Sequence, residues 1–246
     1  MAIKRYYLID SIRGITLISM LLYHAMWDLV YLFGANVGWF ADTAGHIWQR
    51  SICISFILIS GFCFSLGSHK LKRGLTVLAA SAVITLATVL FMRNSIIIFG
   101  ILSFIGSAML IMLPLERLLR RVNCYVGFFL SVLLFIIFES VTLGYINLFF
   151  VKLYLPKWLF ANTFTAFLGF PHPMFVSYDY FPIFPWIFLY IAGYYLFHIF
   201  SRLGLMRLLH RPRIQPIEFI GRHTLIIYLV HQPLIYGLLY IIFMFL

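Results

Sequence analysis

Seven apolar stretches, each close to the length of a bilayer crossing, take up most of this sequence. They run approximately over 7–33, 49–67, 75–92, 95–115, 124–143, 182–200 and 217–243. In hydrocarbon an unpaired backbone amide finds no water, so only helices and closed barrels can span. A run of about 20 apolar residues matches one helix across a core roughly 30 Å thick. The expected fold is therefore an all-α polytopic transmembrane helix bundle of about seven helices, a single domain over 1–246. Composition agrees: 63% of residues are hydrophobic and 10% charged, where soluble domains carry about 25% charged residues. Lys4 and Arg5 resemble the start of a signal peptide, but the segment after them is too long and has no small-residue cleavage site. It reads as a retained first helix.

The net charge of +11 does not imply a nucleic-acid partner, because the cations sit in short links between apolar runs. One side receives Lys4, Arg5, Lys70, Lys72, Arg73, Arg117, Arg120, Arg121, Arg202, Arg207, Arg211 and Arg213; the other receives Arg50, Arg93, Lys152 and Lys157. That asymmetry predicts a cytoplasmic N-terminus and, with an odd helix count, a C-terminus outside. Arg93 and Asn94 alone join the third and fourth runs, a tight hairpin. Pro233 should kink the last run and free the Leu229 carbonyl. Residues 144–181 are longer than a turn needs, and three readings stay open there: an amphipathic interfacial element, a re-entrant loop or an eighth span. Cys53, Cys63 and Cys124 have no redox or zinc spacing and read as inert thiols. The scattered histidines offer no metal site.

Chemistry is expected where polarity enters the bilayer. Asp10, Arg13, His24 and Asp28 share one face of the first helix at about 100° per residue. Ionisable groups at that depth usually line a bundle interior or a wet cavity. His24 and Asp28 are one turn apart, so a carboxylate could orient an imidazole that takes a proton from a hydroxyl or amine; the alternative is that His24 only ties helices together. Arg13 reads either as the partner of Asp10 or as a clamp for a phosphate-bearing donor. The last run repeats the pattern, with Arg222 near its start and His231 roughly 13 Å deeper. Gln232 and His231 are also placed to satisfy the carbonyl freed by Pro233. Asp179 stands at a rim before Pro182, and reads as a rim residue that caps the helix or as a catalytic acid. Trp39 sits in the first outer loop, Gly34 to Trp48.

Taken together, LIDSIRGITLISMLLYHAMWDL, ISFILISGFCFSLG, DYFPIFPWIFLYIAGYYLF and FIGRHTLIIYLVHQPLI resemble the bacterial family grouped with the catalytic domain of heparan-α-glucosaminide N-acetyltransferase. The first pattern, with Arg13 and His24 in the signature positions, is also similar to integral membrane acyltransferases that decorate surface polysaccharides. The resemblance implies acyl transfer, typically of acetyl from acetyl-CoA or another acyl-CoA, onto a sugar or glycan acceptor across the membrane.

The combined expectation is a transmembrane acyltransferase in a bacterial cytoplasmic membrane. His24 and Asp28 would be catalytic, and Arg13 and Arg222 would hold the acyl-CoA. His231, Asp179 and Trp39 would contact substrate, with Asp10 and Gln232 as structural polar groups. No metal and no nucleic acid are expected; the partners are the lipid bilayer, the acyl donor and the glycan, with homo-oligomerisation left open. The rival readings are a transporter or channel using the same stripe, and a non-catalytic membrane scaffold.

Overall fold

A computed structural model describes residues 6–148, 151–210 and 214–245. Lys4, Arg5, Arg211 and Arg213 of the charge-asymmetry argument lie outside the described residues. In chain order the helices are α1 (Tyr7–Tyr31), α2 (Gly38–Ala41), α3 (Thr43–Phe64), α4 (Lys70–Phe91), α5 (Ile101–Leu119) and α6 (Cys124–Phe138). A two-stranded antiparallel hairpin follows, β1 (Tyr145–Leu148) and β2 (Val151–Tyr154), then α7 (Thr163–Leu168), α8 (Ile183–Arg202), α9 (Gln215–Arg222) and α10 (Thr224–Met244). Among the described residues seven segments are long and apolar enough to cross a membrane: α1, α3, α4, α5, Cys124–Leu143, α8 and α10. The protein is an integral membrane helix bundle with almost no sheet.

The seven spans fall close to the apolar runs, and three details differ. The link between α4 and α5 is not a two-residue hairpin: a 3-10 turn (Arg93–Ser95) is followed by irregular chain that bends near Phe99 before Gly100. That chain is paired, with Tyr178 N–H donating to Ile96 O and Phe181 N–H to Phe99 O at 2.8 Å. Among the described residues 144–181 hold no eighth span; the aromatic-rich front forms the β hairpin, whose second strand is exposed throughout. Lastly, the C-terminal run is two helices, not one kinked helix. The chain breaks at His223, where the His223 ring bonds Phe219 O at 2.8 Å and Thr224 Oγ1 donates to Gly221 O at 2.7 Å. These side chains satisfy carbonyls that the end of α9 would leave orphaned.

The chain packs as two compact units, Met1–Ile59 with Leu203–Leu246, and Ser60–Arg202. In the first, α9 crosses α1 where Gly14 meets the Ile217 carbonyl and Gly221 meets the Asp10 carbonyl. Small residues permit such backbone contact between membrane helices. Helix α10 then lies alongside α1 in the same direction: rising positions on α1 meet rising positions on α10, from His24 with His231 to Phe33 with Tyr236. Leu17, Met20 and Ile52 form one core cluster of this unit, packed by Trp48, Ile227 and Tyr228.

In the second unit α8 is the most buried span. Tyr190 and Tyr194 are fully enclosed, with Phe64 and Phe104 at their edges. Gly106 admits Leu78 between α4 and α5, and Gly127 admits the Tyr195 ring between α6 and α8. Glu116 accepts from Lys70 and from Arg120, each at 2.7 Å, at the end of α5.

Candidate active site

The first unit brings four polar side chains, His24, Asp28, His231 and Gln232, together where α1 and α10 adjoin. Asp28 is fully buried, and Gln232 Nε2 donates to its Oδ1 at 2.7 Å. One turn earlier on α1, the His24 ring stands 4.7 Å from the ring of His231, centroid to centroid. His231 is itself 7% exposed. Two spans from opposite ends of the sequence thus contribute one pair of groups each to a single polar cluster.

The hydrogen bonds within the cluster differ from the helical-spacing expectation. Asp28 is one turn from His24, yet its hydrogen bond goes to Gln232. Among the described residues, His24 makes ring contacts only, with Tyr23 and His231. Nor do His231 and Gln232 serve the carbonyl that Pro233 releases. His231 Nδ1 bonds the Tyr228 carbonyl at 2.6 Å, and Gln232 reaches across to α1.

The Tyr228 bond has a chemical consequence. A carbonyl only accepts, so Nδ1 carries the proton and the neutral ring keeps its lone pair on Nε2. That Nε2 is buried and has no hydrogen-bond partner among the described residues; Asp28 Oδ2 and Gln232 Oε1 share this condition. Buried polar atoms left this way are costly and commonly mark a working site or a bound solvent molecule. The imidazole with an oriented basic nitrogen is therefore His231, and a backbone carbonyl, not Asp28, orients it.

Aromatic rings close one side of the cluster. Tyr23 packs 5.1 Å from Phe40 and edge-on to Trp48, whose Nε1 donates to Ser19 Oγ at 2.8 Å. Trp39 stacks on Trp48 at 6.2 Å and is half-exposed. Trp39 is thus linked to His24 through Trp48 and Tyr23. Sequence reasoning passed over Tyr23, Trp48 and the Tyr228 carbonyl, because aromatic rings are commonplace in membrane helices and a carbonyl carries no residue signature.

The two arginines fall differently. Arg13 lies 3.6 Å from Asp10, the one-turn ion pair expected for them. Arg222 is exposed; its Nε donates to Glu218 O at 3.1 Å and its guanidinium lies over Phe219. Because the chain breaks at His223, Arg222 and His231 are on separate helices, and the inferred 13 Å rise between them along one axis does not apply.

Asp179 belongs to the second unit, where its Oδ2 accepts the Ile101 N–H at 3.0 Å and so caps α5. Burial pushes its carboxyl up to about 6, partly opposed by that backbone bond. The neighbouring Ser177 hydroxyl bonds both the N–H and the carbonyl of Ile98. Among the described residues no group of three or more His, Cys, Asp or Glu could hold a metal ion.

No curated protein and no solved structure gives a significant match to the chain. A family model does, over residues 5–233, and its description is heparan-alpha-glucosaminide N-acetyltransferase, catalytic. With nearly the whole sequence inside that match, the chain belongs to the heparan-alpha-glucosaminide N-acetyltransferase catalytic-domain family.

Proposed function

We propose that this membrane protein transfers an acyl group, acetyl in the simplest case, from acyl-CoA to a hydroxyl or amine of a sugar or glycan. The observation that carries the reading is His231: a buried imidazole whose Nε2 is left basic by the Tyr228 bond, facing His24 beside the buried Asp28–Gln232 pair. In this reading the acceptor gives its proton to His231 Nε2 as its oxygen or nitrogen bonds the thioester carbon. The carbon–sulfur bond then breaks, and the proton passes to the departing thiolate, which leaves as free CoA. General base assistance of this kind is worth about 10²- to 10⁴-fold. His24 flanks the reacting carbonyl, the Asp28–Gln232 bond fixes α1 against α10, and Trp39 offers a stacking face to a sugar ring.

Arg13, at the opposite end of α1 from Asp28, is the candidate for the donor's phosphates, with Arg222 as a second cation. The charge asymmetry of the links supports a cytoplasmic position for that end, as in a bacterial inner membrane. Asp179 enters as a positioning group for the outer segments.

The test is the purified full-length chain in detergent, given radiolabelled acetyl-CoA and a panel of amino sugars and glycans. Labelled acceptor and stoichiometric free CoA are expected, both abolished in a folded His231→Ala variant. Absence of acceptor-dependent CoA release, or full activity in that variant, overturns the reading. CoA-independent solute uptake into proteoliposomes would favour a transporter.

A further inference from the structure

The second unit holds another polar pocket, built where α5 ends, α6 begins and α8 ends. Its walls include Arg120, Cys124, Tyr194, Tyr195, His198 and Arg202, around a space of about 80 Å³. A single water needs about 10–15 Å³ of such space, so there is room for a larger group such as a phosphate.

Its donors are unusual for an apolar bundle. Tyr194 is fully buried, and its hydroxyl faces Arg120 but has no partner at ordinary hydrogen-bond geometry among the described residues. His198 Nε2 also has no hydrogen-bond partner among them, and its ring packs against Tyr194 at 4.6 Å. Arg202 stands at the rim, and the structure gives it no hydrogen bond or ion pair among the described residues. Arg120 donates to Glu116 Oε1 through one nitrogen and also faces the Tyr194 hydroxyl, and the remaining N–H groups of its fork are left for another acceptor. Glu116 is the carboxylate nearby, and Lys70 offsets it at 2.7 Å.

The surrounding backbone also favours an anion. Cys124 opens α6, whose start carries partial positive charge; Asn123 Oδ1 already accepts the Tyr125 N–H at 2.9 Å, which leaves the Cys124 end to a further acceptor. The Leu119 carbonyl at the end of α5 would repel an anion, but the Tyr195 hydroxyl donates to it at 3.1 Å.

We propose that this pocket binds one phosphate group, clamped by Arg120 and Arg202 and completed by donors from Tyr194 and His198. The phosphate belongs either to an anionic lipid headgroup, since the pocket lies at the ends of three spanning segments, or to a soluble phosphomonoester. This site is independent of the acyl-transfer reading and stands or falls without it.

The experiment uses the full chain in a phosphate-free nonionic detergent. One arm titrates inorganic phosphate and glycerol 3-phosphate by calorimetry. The other measures retention of phosphatidylglycerol against a phosphate-free glucosyl diacylglycerol by native mass spectrometry. Saturable binding is expected in one arm, weakened roughly tenfold or more by Arg202→Gln and by Arg120→Gln, and less by Tyr194→Phe. Lys152→Gln, on the exposed β2 strand, should leave it unchanged. Both arginines are exposed and Tyr194→Phe keeps the ring, so all three variants should fold. A positive lipid arm identifies a headgroup, and a positive soluble arm a phosphomonoester. No saturable binding in either arm, or binding indifferent to these variants, overturns the proposal.

Discussion

Gln232 on α10 donates to Asp28 on α1 at 2.7 Å, across a junction from which Asp28 is wholly hidden. Removing the amide strands a buried carboxyl group, which typically costs about 1–3 kcal/mol. Gln232→Ala should therefore lower stability, and so should Asp28→Ala. Because the residues share one bond, the double variant should fall short of the summed losses by about 0.5–2 kcal/mol. Detergent unfolding of the four proteins measures this coupling. Strict additivity would show that the pair does not hold α1 to α10.

The two histidines should separate kinetically. His231 has a fixed tautomer through Tyr228, whereas His24 makes ring contacts only among the described residues. His231→Ala should cut kcat for acyl transfer by about 10²- to 10⁴-fold with a smaller change in KM. His24→Ala should cost less in kcat. The reverse order would return the base to His24.

Crowding at the α1–α9 crossing makes a structural prediction. A Cβ at Gly14 would run into the Ile217 carbonyl, and one at Gly221 into the Asp10 carbonyl. Backbone cannot rotate away as a side chain can, so each Gly→Ala change should destabilise by about 1–3 kcal/mol, as overpacking does. Thermal unfolding in detergent gives the readout, with the exposed Gly38→Ala as a control that meets nothing within 4 Å.

Asp179 gives a pH dependence with a defined sign. Its carboxyl is raised from an ordinary 3.8 to about 6 by burial. A group raised on folding binds its proton more tightly in the folded protein, so its contribution is complete below about 3.8 and is lost as pH rises through about 6. The midpoint of unfolding should drop between pH 4 and 7 for this reason. Asp179→Asn keeps an oxygen for the Ile101 N–H and removes the titration, so its profile should be flatter over that window. An unchanged slope would remove Asp179 from the account.

The spans were legible because each is a long apolar run, and the cost of an unpaired amide in lipid leaves helix as the answer. Their junctions were not. The His223 break depends on two side chains that cap α9; the stretch Gly221–Thr224 interrupts the apolar pattern there, but a short polar stretch alone does not separate a helix end from polar residues inside a span. The hairpin of 145–154 lies in a stretch too mixed in polarity for period alone to decide. In the candidate site, His24, His231 and Asp28 were visible as polar intrusions in apolar helices. Who bonds whom was not, since one-turn spacing pointed Asp28 to His24 while tertiary packing delivered Gln232. Asp179 shows the same limit: it caps a helix, but that helix is α5, far from it in sequence.

The paired imidazoles come from the first and last of the seven spans described. During synthesis, α1 must wait in the bilayer with Asp28 and His24 unanswered until the ribosome has delivered α10. Chains halted before Thr224 would carry half of this chemistry, with a lone carboxyl group exposed to lipid or to a borrowed neighbour. Quality control that senses orphaned polar groups within the membrane would have a ready signal for telling unfinished copies from mature ones.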